Sequence, residues 1–397
     1  MYGEPMNRRR FLVTASMLCA AHSWAADKPR LRVAVIGHTG RGNDGHGVDT
    51  MWLQLPDTEI VAVADADAAG LAKALTRLRA PKGYADYREM LSTEKPDLVA
   101  LAPRFVDEHR DMLLTCAAAG VRGVYMEKPF CRTPAEADEI LAASTRSGMK
   151  VAVAHRNRWH PVLPVLRKLI ADGRIGKVLE VRTRGKEDQR GGAEDLFVLG
   201  GHLFNLAVLF TGQPTACTAS VLQDGRPVAA ADIKPGSEGI GPLAGNAVHA
   251  RFETESGTPI FFDSLAKGGV PIAGFGVQII GTAGVIDLRI DQEPLAFFCE
   301  GTPFASVNAE RRWVPVSSAG IGIPEPVADL GKQLAGHLIQ GRELIACLRH
   351  GGQPTCGLAD AALTIEMSCA VFESHRQGGA RVAFPLRQRA NALGLLK

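Results

Sequence analysis

The residues best suited to chemistry in this sequence lie in "IGHTGRGNDG", "VAVADAD" and "YMEKPFCRT". In the first stretch an apolar run stops at Gly37, and Gly40 and Gly42 follow. A glycine turn between a strand and a helix lets backbone N–H groups approach a pyrophosphate, as in the G-x-G-x-x-G fingerprint. Gly37 and Gly42 take its first and last places, whereas Thr39 stands at the middle glycine and Gly40 comes one place late. Gly37 is expected to make the tight turn and Gly42 to let the helix pack on the strand. Thr39 is expected either to crowd a phosphate or to donate its hydroxyl to one.

Asp65 ends the second apolar run, near the spacing of about 20 residues at which a carboxylate receives an adenosine ribose. No Lys or Arg follows before Lys73, so a 2′-phosphate lacks a partner and NAD is expected over NADP. Glu127-Lys128-Pro129 closes a third apolar run. A residue before proline is held in extended backbone, from which the Lys128 ammonium could reach a substrate hydroxyl. "RTRGKEDQRGGAED" adds Arg184, Lys186, Glu187, Asp188 and Arg190. This mixed-charge cluster suits either hydrogen bonding to several hydroxyls or a plain solvated hairpin. His155 and His160 lack a third spaced ligand, so no metal site is expected.

These residues need elements to position them. Strands are read at 31–37, 59–67, 97–103, 123–129 and 149–155, alternating with helices at 48–55, 68–78, 107–120 and 133–148. Thr133 and Gly148 read as the N-cap and the end of the last helix. Continuous apolar strands alternating with helices predict a parallel, doubly wound α/β domain, the Rossmann arrangement, over 28–154. After His155 a helix at 161–176 precedes strands of alternating polarity at 177–186, 217–225, 246–257, 258–265, 275–290 and 295–301. A late helix at 357–378 and a short strand at 381–386 follow. Residues 155–397 therefore read as an α+β domain with a large, mostly antiparallel open sheet.

The 397 residues, 46% hydrophobic and 22% charged, suit two globular domains. Residues 1–25 read as a leader: a basic stretch, a short apolar run from Phe11 to Ala21, and a small-x-small cleavage site at Ser23-Trp24-Ala25. Arg8-Arg9 before Arg10-Phe11-Leu12 is similar to a twin-arginine signal, against a plain signal peptide. The mature protein is then expected to be periplasmic or secreted, without a membrane anchor. Twin-arginine export carries folded proteins, so a cofactor would be bound before export and kept. Losing Arg8, Arg9, Arg10 and Glu4 leaves a nearly neutral body, which argues against a nucleic-acid partner. Cys116, Cys131, Cys217, Cys299, Cys347, Cys356 and Cys369 show no CxxC spacing and read as buried thiols.

The glycine loop, Asp65, His109 after "ALAP", and Glu127-Lys128-Pro129 together resemble the Gfo/Idh/MocA family, which includes glucose–fructose oxidoreductase and inositol dehydrogenase. The resemblance runs from about Leu31 to Phe384. It implies a Rossmann domain followed by an open sheet whose face covers the nicotinamide and often packs on another subunit, hence a homo-oligomer. The family carries D-x-G-x-H on a helix over the nicotinamide. Here "EDLFVLGGHLFNL" supplies Gly200 and His202, with Val198 at the acid's place and Asn205 where a further Asp is frequent. Glu194 and Asp195 would share the face of His202 or lie on the loop leading into the site.

Arg158 and Pro161 match the family's R-x-x-P. The resemblance places Glu127 and Lys128 at the cofactor, and Arg158, Lys186, Asp188, Arg190, Asp195 and His202 at a carbohydrate substrate. His202 would act as general base, since imidazole titrates near neutral pH, and Lys128 would stabilise the alkoxide. The expected activity is hydride transfer between NAD and a secondary alcohol of a sugar, polyol or glycoside. The alternatives are a redox-assisted glycoside hydrolase or epimerase with a held cofactor and, from another class, a non-catalytic nucleotide-binding sensor, consistent with Val198.

Overall fold

The structure, a computed structural model, describes residues 29–43, 45–268, 274–304 and 310–397; the leader read over 1–25 lies outside the described residues. The first sheet has six parallel strands in the order β3-β2-β1-β4-β5-β6. They are β1 (Leu31–Ile36), β2 (Thr58–Ala64), β3 (Gly83–Tyr84), β4 (Leu98–Leu101), β5 (Gly123–Met126) and β6 (Lys150–Val153). Every residue of β4 and β5 is buried, as a strand covered by helices on both faces must be. Parallel strands share one carboxyl edge, and that edge delivers Gly37, Asp65 and Glu127-Lys128 side by side.

The crossover helices begin and end where side chains cap them. On α1 (Ala68–Leu78) the Asp67 carboxylate accepts from Gly70 N–H at 2.6 Å. The short α2 (Tyr87–Glu94), absent from the sequence reading, carries one apolar turn at Met90 and Leu91, too brief to show a helical period. α3 (His109–Ala118) follows β4. On α4 (Pro134–Ser147) Thr133 accepts from Glu136 N–H at 3.2 Å and Gly148 takes φ 74°, both as expected.

The first crossover departs from the sequence reading. The helix expected over 48–55 is a single 3-10 turn, Met51–Gln54. Gly45 and Gly47 at φ 69° and 90° precede it and Pro56 follows, leaving too few residues to nucleate an α-helix. Among the described residues no α-helix therefore follows the glycine loop directly, and the loop's own backbone amides must approach a phosphate without one.

The second sheet has eleven strands among the described residues. β7 (Val178–Arg184) lies near its middle, parallel to the strand Ile260–Leu265 and antiparallel to Gly276–Gly281. Three helices flank β7 in the chain: α5 (Val162–Ala171) precedes it, while α6 (Ala193–Val198) and α7 (Gly200–Thr211) follow it, the last carrying His202. Phe204 of α7 meets Phe252 and Phe262 of the sheet at centroid distances of 5.3 and 5.4 Å. This aromatic contact fixes α7 on the sheet.

A further helix, Leu338–His350, was also not read from sequence. It returns from the second part of the chain onto β5 and β6 of the first sheet, where Leu344 and Ile345 join the buried cluster that holds Val33, Val35 and Tyr125. All seven cysteines named above are free and buried. No helix among the described residues is long and apolar enough to cross a membrane.

Phe262 is fully buried beneath α7. Phe262→Ala is expected to lower stability by about 3–5 kcal/mol, read as a fall in the urea midpoint at constant slope. An unchanged midpoint would show that α7 is held by something else.

Candidate active site

The carboxyl edge of the first sheet opens into a cleft of about 430 Å³ lined by Gly37, His38, Asp65, Asp86, Tyr87, Arg88, Asp107, Glu108 and neighbours. Asp65 accepts from Thr39 N–H at 3.0 Å, from Thr39 Oγ1 at 2.7 Å and from Asp67 N–H at 2.9 Å. Thr39 is thus turned towards Asp65 and α1, not towards a phosphate as expected. Gly70 makes room for it, since a Cβ there would lie 1.9 Å from Thr39 Oγ1. Gly42 takes φ 90°, and a Cβ on it would sit 2.4 Å from the backbone nitrogen of Arg104. Its role is close passage of the loop over the segment after β4, in place of the helix-on-strand packing expected. Gly40, at φ 83°, leaves open space around it.

These features fit a dinucleotide. The cleft lies at the carboxyl ends of β1 and β2, its carboxylates near Asp65 can accept from ribose hydroxyls, and the loop's backbone is free of side-chain bulk at Gly40. Arg88, from the unread helix α2, is the cation that sequence spacing overlooked, and it stacks on Tyr87 at 4.5 Å.

At the same edge lies a second, smaller cavity of about 160 Å³. Lys128 and His202 both line it, with Arg104, Arg156, Lys186 and Arg190 and with the carboxylates of Glu127, Glu238 and Asp291. Glu127 is 1% exposed and accepts from the backbone N–H and Nδ1 of His46, both at 2.8 Å. Burial pushes its carboxyl up, but the His46 hydrogen bonds and the Lys128 charge outweigh this and hold it at about 2. Lys128 is joined to Pro129 by a cis peptide. Burial lowers its ammonium, opposed by Glu127 and then Glu238. Burial, then His155 and Lys128, holds His202 well below the usual imidazole range.

The rear wall is held by a hydrogen-bonded chain. Tyr125 donates to His337 Nδ1 at 2.6 Å, and His337 Nε2 donates to the His46 carbonyl at 3.2 Å. Burial brings His337 down to about 4 despite Glu127. His109 links the loops after β4 and β5, its ring nitrogens 2.8 Å from the Pro103 carbonyl and 2.9 Å from that of Pro129.

Residues 31–155 match the family model of Gfo/Idh/MocA, described as oxidoreductase family, NAD-binding Rossmann fold. Over these residues the chain is similar to the NAD-binding domain of that family. The chain is 27% identical to D-apiose dehydrogenase of Paraburkholderia graminis over 348 residues, 82% of this chain and 84% of that protein. It is 28% identical over 125 residues to an NADP(+) scyllo-inositol 2-dehydrogenase of Bacillus subtilis, covering 29% of this chain and 35% of that one. Such relatives are sugar and polyol dehydrogenases, acting on CH–OH groups. Levoglucosan dehydrogenase, solved with NADH and levoglucosan, shares the fold with a TM-score of 0.69 at 19% identity, over 90% of this chain and 99% of that one.

Of the residues named from the sequence, Lys128, His202, Lys186 and Arg190 line one cavity. Val198, at the family's acid position, also lines it, so no carboxylate stands there beside His202. Three expected substrate residues lie elsewhere. Arg158 is spent on the Asn205 carbonyl and Asp360. Asp195 is fully buried, accepting at one oxygen from Glu187 N–H at 3.0 Å and Ser264 Oγ at 2.7 Å, and burial raises its carboxyl. Asp188 pairs with Arg190 at 2.6 Å and orients it from behind. His155 faces His202, while His160 lies 3.4 Å from Glu293.

The sequence reading missed His46, Arg104, Arg156, Glu238, Asp291 and His337. Their loops lie far apart in the chain, and no spacing rule joins them. Glu238, Asp291 and His337 take φ of 51°, 63° and 57°, which side chains rarely adopt without a reason.

Gly42→Ala is expected to weaken NADH binding by roughly tenfold or more, about 1.4 kcal/mol, read by fluorescence titration. Unchanged affinity would remove the loop from the nucleotide site. Glu127, His155 and His337, held at about 2, 3 and 4, each bind fewer protons folded than unfolded. Stability present at neutral pH is therefore lost on acidification: first through the histidines as pH falls below their ordinary 6.5, then through Glu127 below 4.5. His337→Asn should flatten the first limb by one proton in urea melts across pH; an equally steep limb would contradict it.

Proposed function

We propose that this protein is an exported NAD-dependent oxidoreductase that moves a hydride between the nicotinamide and a secondary alcohol of a sugar, polyol or glycoside. The observation that carries the reading is the convergence of Lys128 and His202 on one cavity, at the same sheet edge as the nucleotide cleft. Gly37, Gly40, Gly42 and Asp65 would hold the dinucleotide along that edge, with Glu127 and Lys128 at its nicotinamide end. A bound nicotinamide supplies the hydride acceptor.

In the oxidative direction the substrate hydroxyl sits between Lys128 Nζ and His202 Nε2. His202 takes the proton, and the Lys128 ammonium stabilises the negative charge developing on oxygen. Lys186, Arg190, Arg156, Glu238 and Asp291 ring the same space with donors and acceptors, which suits a polyhydroxylated ligand over an apolar one.

The test offers the purified protein NAD with myo-inositol, D-glucose, D-apiose and levoglucosan and follows NADH absorbance. Lys128→Ala should lower kcat/KM by about 10²–10³-fold and His202→Ala by about 10²–10⁴-fold, with NADH still bound. Bound NADH that no ketose or ketone bleaches, together with no turnover, would favour a sensor and overturn the reading. Native mass spectrometry of protein from its own periplasm should show the leader removed, a bound dinucleotide and more than one subunit, the open sheet being the face for self-association. A full-length monomer without nucleotide would contradict export with retained cofactor.

A second reading, redox-assisted glycoside cleavage or epimerisation, is favoured by a clasp over the cleft. Arg41 of the glycine loop pairs with Asp107 at 2.6 Å and Glu108 at 3.2 Å and stacks on Phe105 at 4.7 Å. Gly239 fits against Asp107, where a Cβ would lie 2.3 Å from Oδ1. A clasped cofactor exchanges slowly and suits a cycle that oxidises one carbon and later reduces it. Aglycone release from a glycoside without accumulating NADH would support this reading; NADH building up in step with product would exclude it.

A further inference from the structure

His155 lies behind His202 and takes no part in the cavity lining. It is 4% exposed, and its Nδ1 lies 3.4 Å from His202 Nδ1, the two rings meeting edge to face at 86° with centroids 5.0 Å apart. Gly201 permits this approach: a Cβ there would come within 2.9 Å of His155 Cε1. A hydrogen bond between two ring nitrogens holds one hydrogen, so the tautomer of either ring fixes the other. Where the family carries an acid, Val198 offers nothing that could orient the imidazole. His155 is the only ring or side-chain partner of His202 Nδ1 among the described residues.

We propose that His155 is a positioning residue, accepting the Nδ1–H of His202 and so leaving His202 Nε2 bare towards the substrate hydroxyl. Electrostatics choose this arrangement over its mirror. The cavity also holds carboxylates, Asp291 paired with Arg156 among them, but the charges that bear on His202 are those of Lys128, Arg156 and His46, so a bare nitrogen is favoured there over an N–H. Burial lowers both rings, His155 to about 3, so at neutral pH neither is charged and the tautomer is the variable. In oxidation the hydroxyl proton goes to His202 Nε2, and the resulting imidazolium donates its Nδ1–H to His155. In reduction the same proton returns to the alkoxide oxygen. His155 thereby substitutes for the missing carboxylate as orienter of the base, without adding a second negative charge beside Glu127.

This inference rests on His202 being the base, but its test does not require turnover. Protein labelled with ¹⁵N-histidine is compared by long-range ¹H–¹⁵N NMR in wild type, His155→Phe and His155→Asn, with His202→Gln assigning the signal. The expected result is a pyrrole-type Nδ1 and pyridine-type Nε2 for His202 in wild type. His155→Phe should shift His202 to the Nε2–H tautomer, and His155→Asn, whose carbonyl oxygen still accepts, should retain Nδ1–H. An Nε2–H tautomer in wild type, or one unmoved by His155→Phe, overturns the proposal. On any alcohol the enzyme oxidises, His155→Phe should lower kcat at least about tenfold with KM little changed, and His155→Asn should recover most of that loss. Equal losses in both variants would mean that His155 only fills space. If no alcohol is oxidised but the tautomer shifts as expected, the pairing stands and the oxidoreductase reading fails.

Discussion

A buried carboxylate cannot stay ionised unless hydrogen bonds and a cation replace the water it has lost. Glu127 meets that requirement with partners drawn from two separate segments. The glycine loop gives the His46 backbone N–H and ring, β5 gives the Lys128 charge next in sequence, and Gly45 lets the loop lie close enough to touch. His337, from a helix more than two hundred residues away, steadies the His46 carbonyl. The glycine loop and Lys128, which faces the cavity, are therefore held by one another. Removing any partner would leave a charge stranded in the interior, so the geometry of the nucleotide end and of the chemical end are set together.

The opposite wall is built by a different kind of force. α7 hangs from the second sheet through Phe204, Phe252 and Phe262, and Asp195 beneath it knits Glu187 and Ser264 into the loop that bears Lys186 and Arg190. Apolar packing supplies the position of His202, and buried polar bonds supply its orientation. The two walls meet at a cavity in which Arg104, Arg156 and Arg190 already have carboxylate partners. Charge balanced in this way keeps a polar pocket from collapsing onto itself before a ligand arrives, and it leaves many donors and acceptors at hand for hydroxyl groups.

The departures from sequence expectation share a cause. Thr39, Arg158 and Asp195 are polar residues near motif positions, and a motif assigns polar residues to the ligand by default. In the folded chain each is claimed by a protein group: Asp65 for Thr39, Asp360 and a carbonyl for Arg158, Ser264 and a backbone amide for Asp195. Helix expectations failed where length was the limit. Eight residues between glycines and proline at 48–55 made a single 3-10 turn, and the one apolar turn of Tyr87–Glu94 was too short to be seen.

The sequence by itself determined the alternation of buried strands with capped helices, the antiparallel second sheet, and four side chains of the cavity, Glu127, Lys128, Lys186 and Arg190, along with His202. These follow from periodicity, from caps such as Thr133, and from motifs whose residues are neighbours in the chain. Only the tertiary structure decided that His46, His337, Glu238 and Asp291 complete the cavity and that His155 stands behind His202. Those residues belong to loops distant in sequence, brought together by sheet pairing and by the return of Leu338–His350 onto the first sheet. Local pattern carries information over a turn or a strand; contact between remote loops is fixed by how the whole core packs.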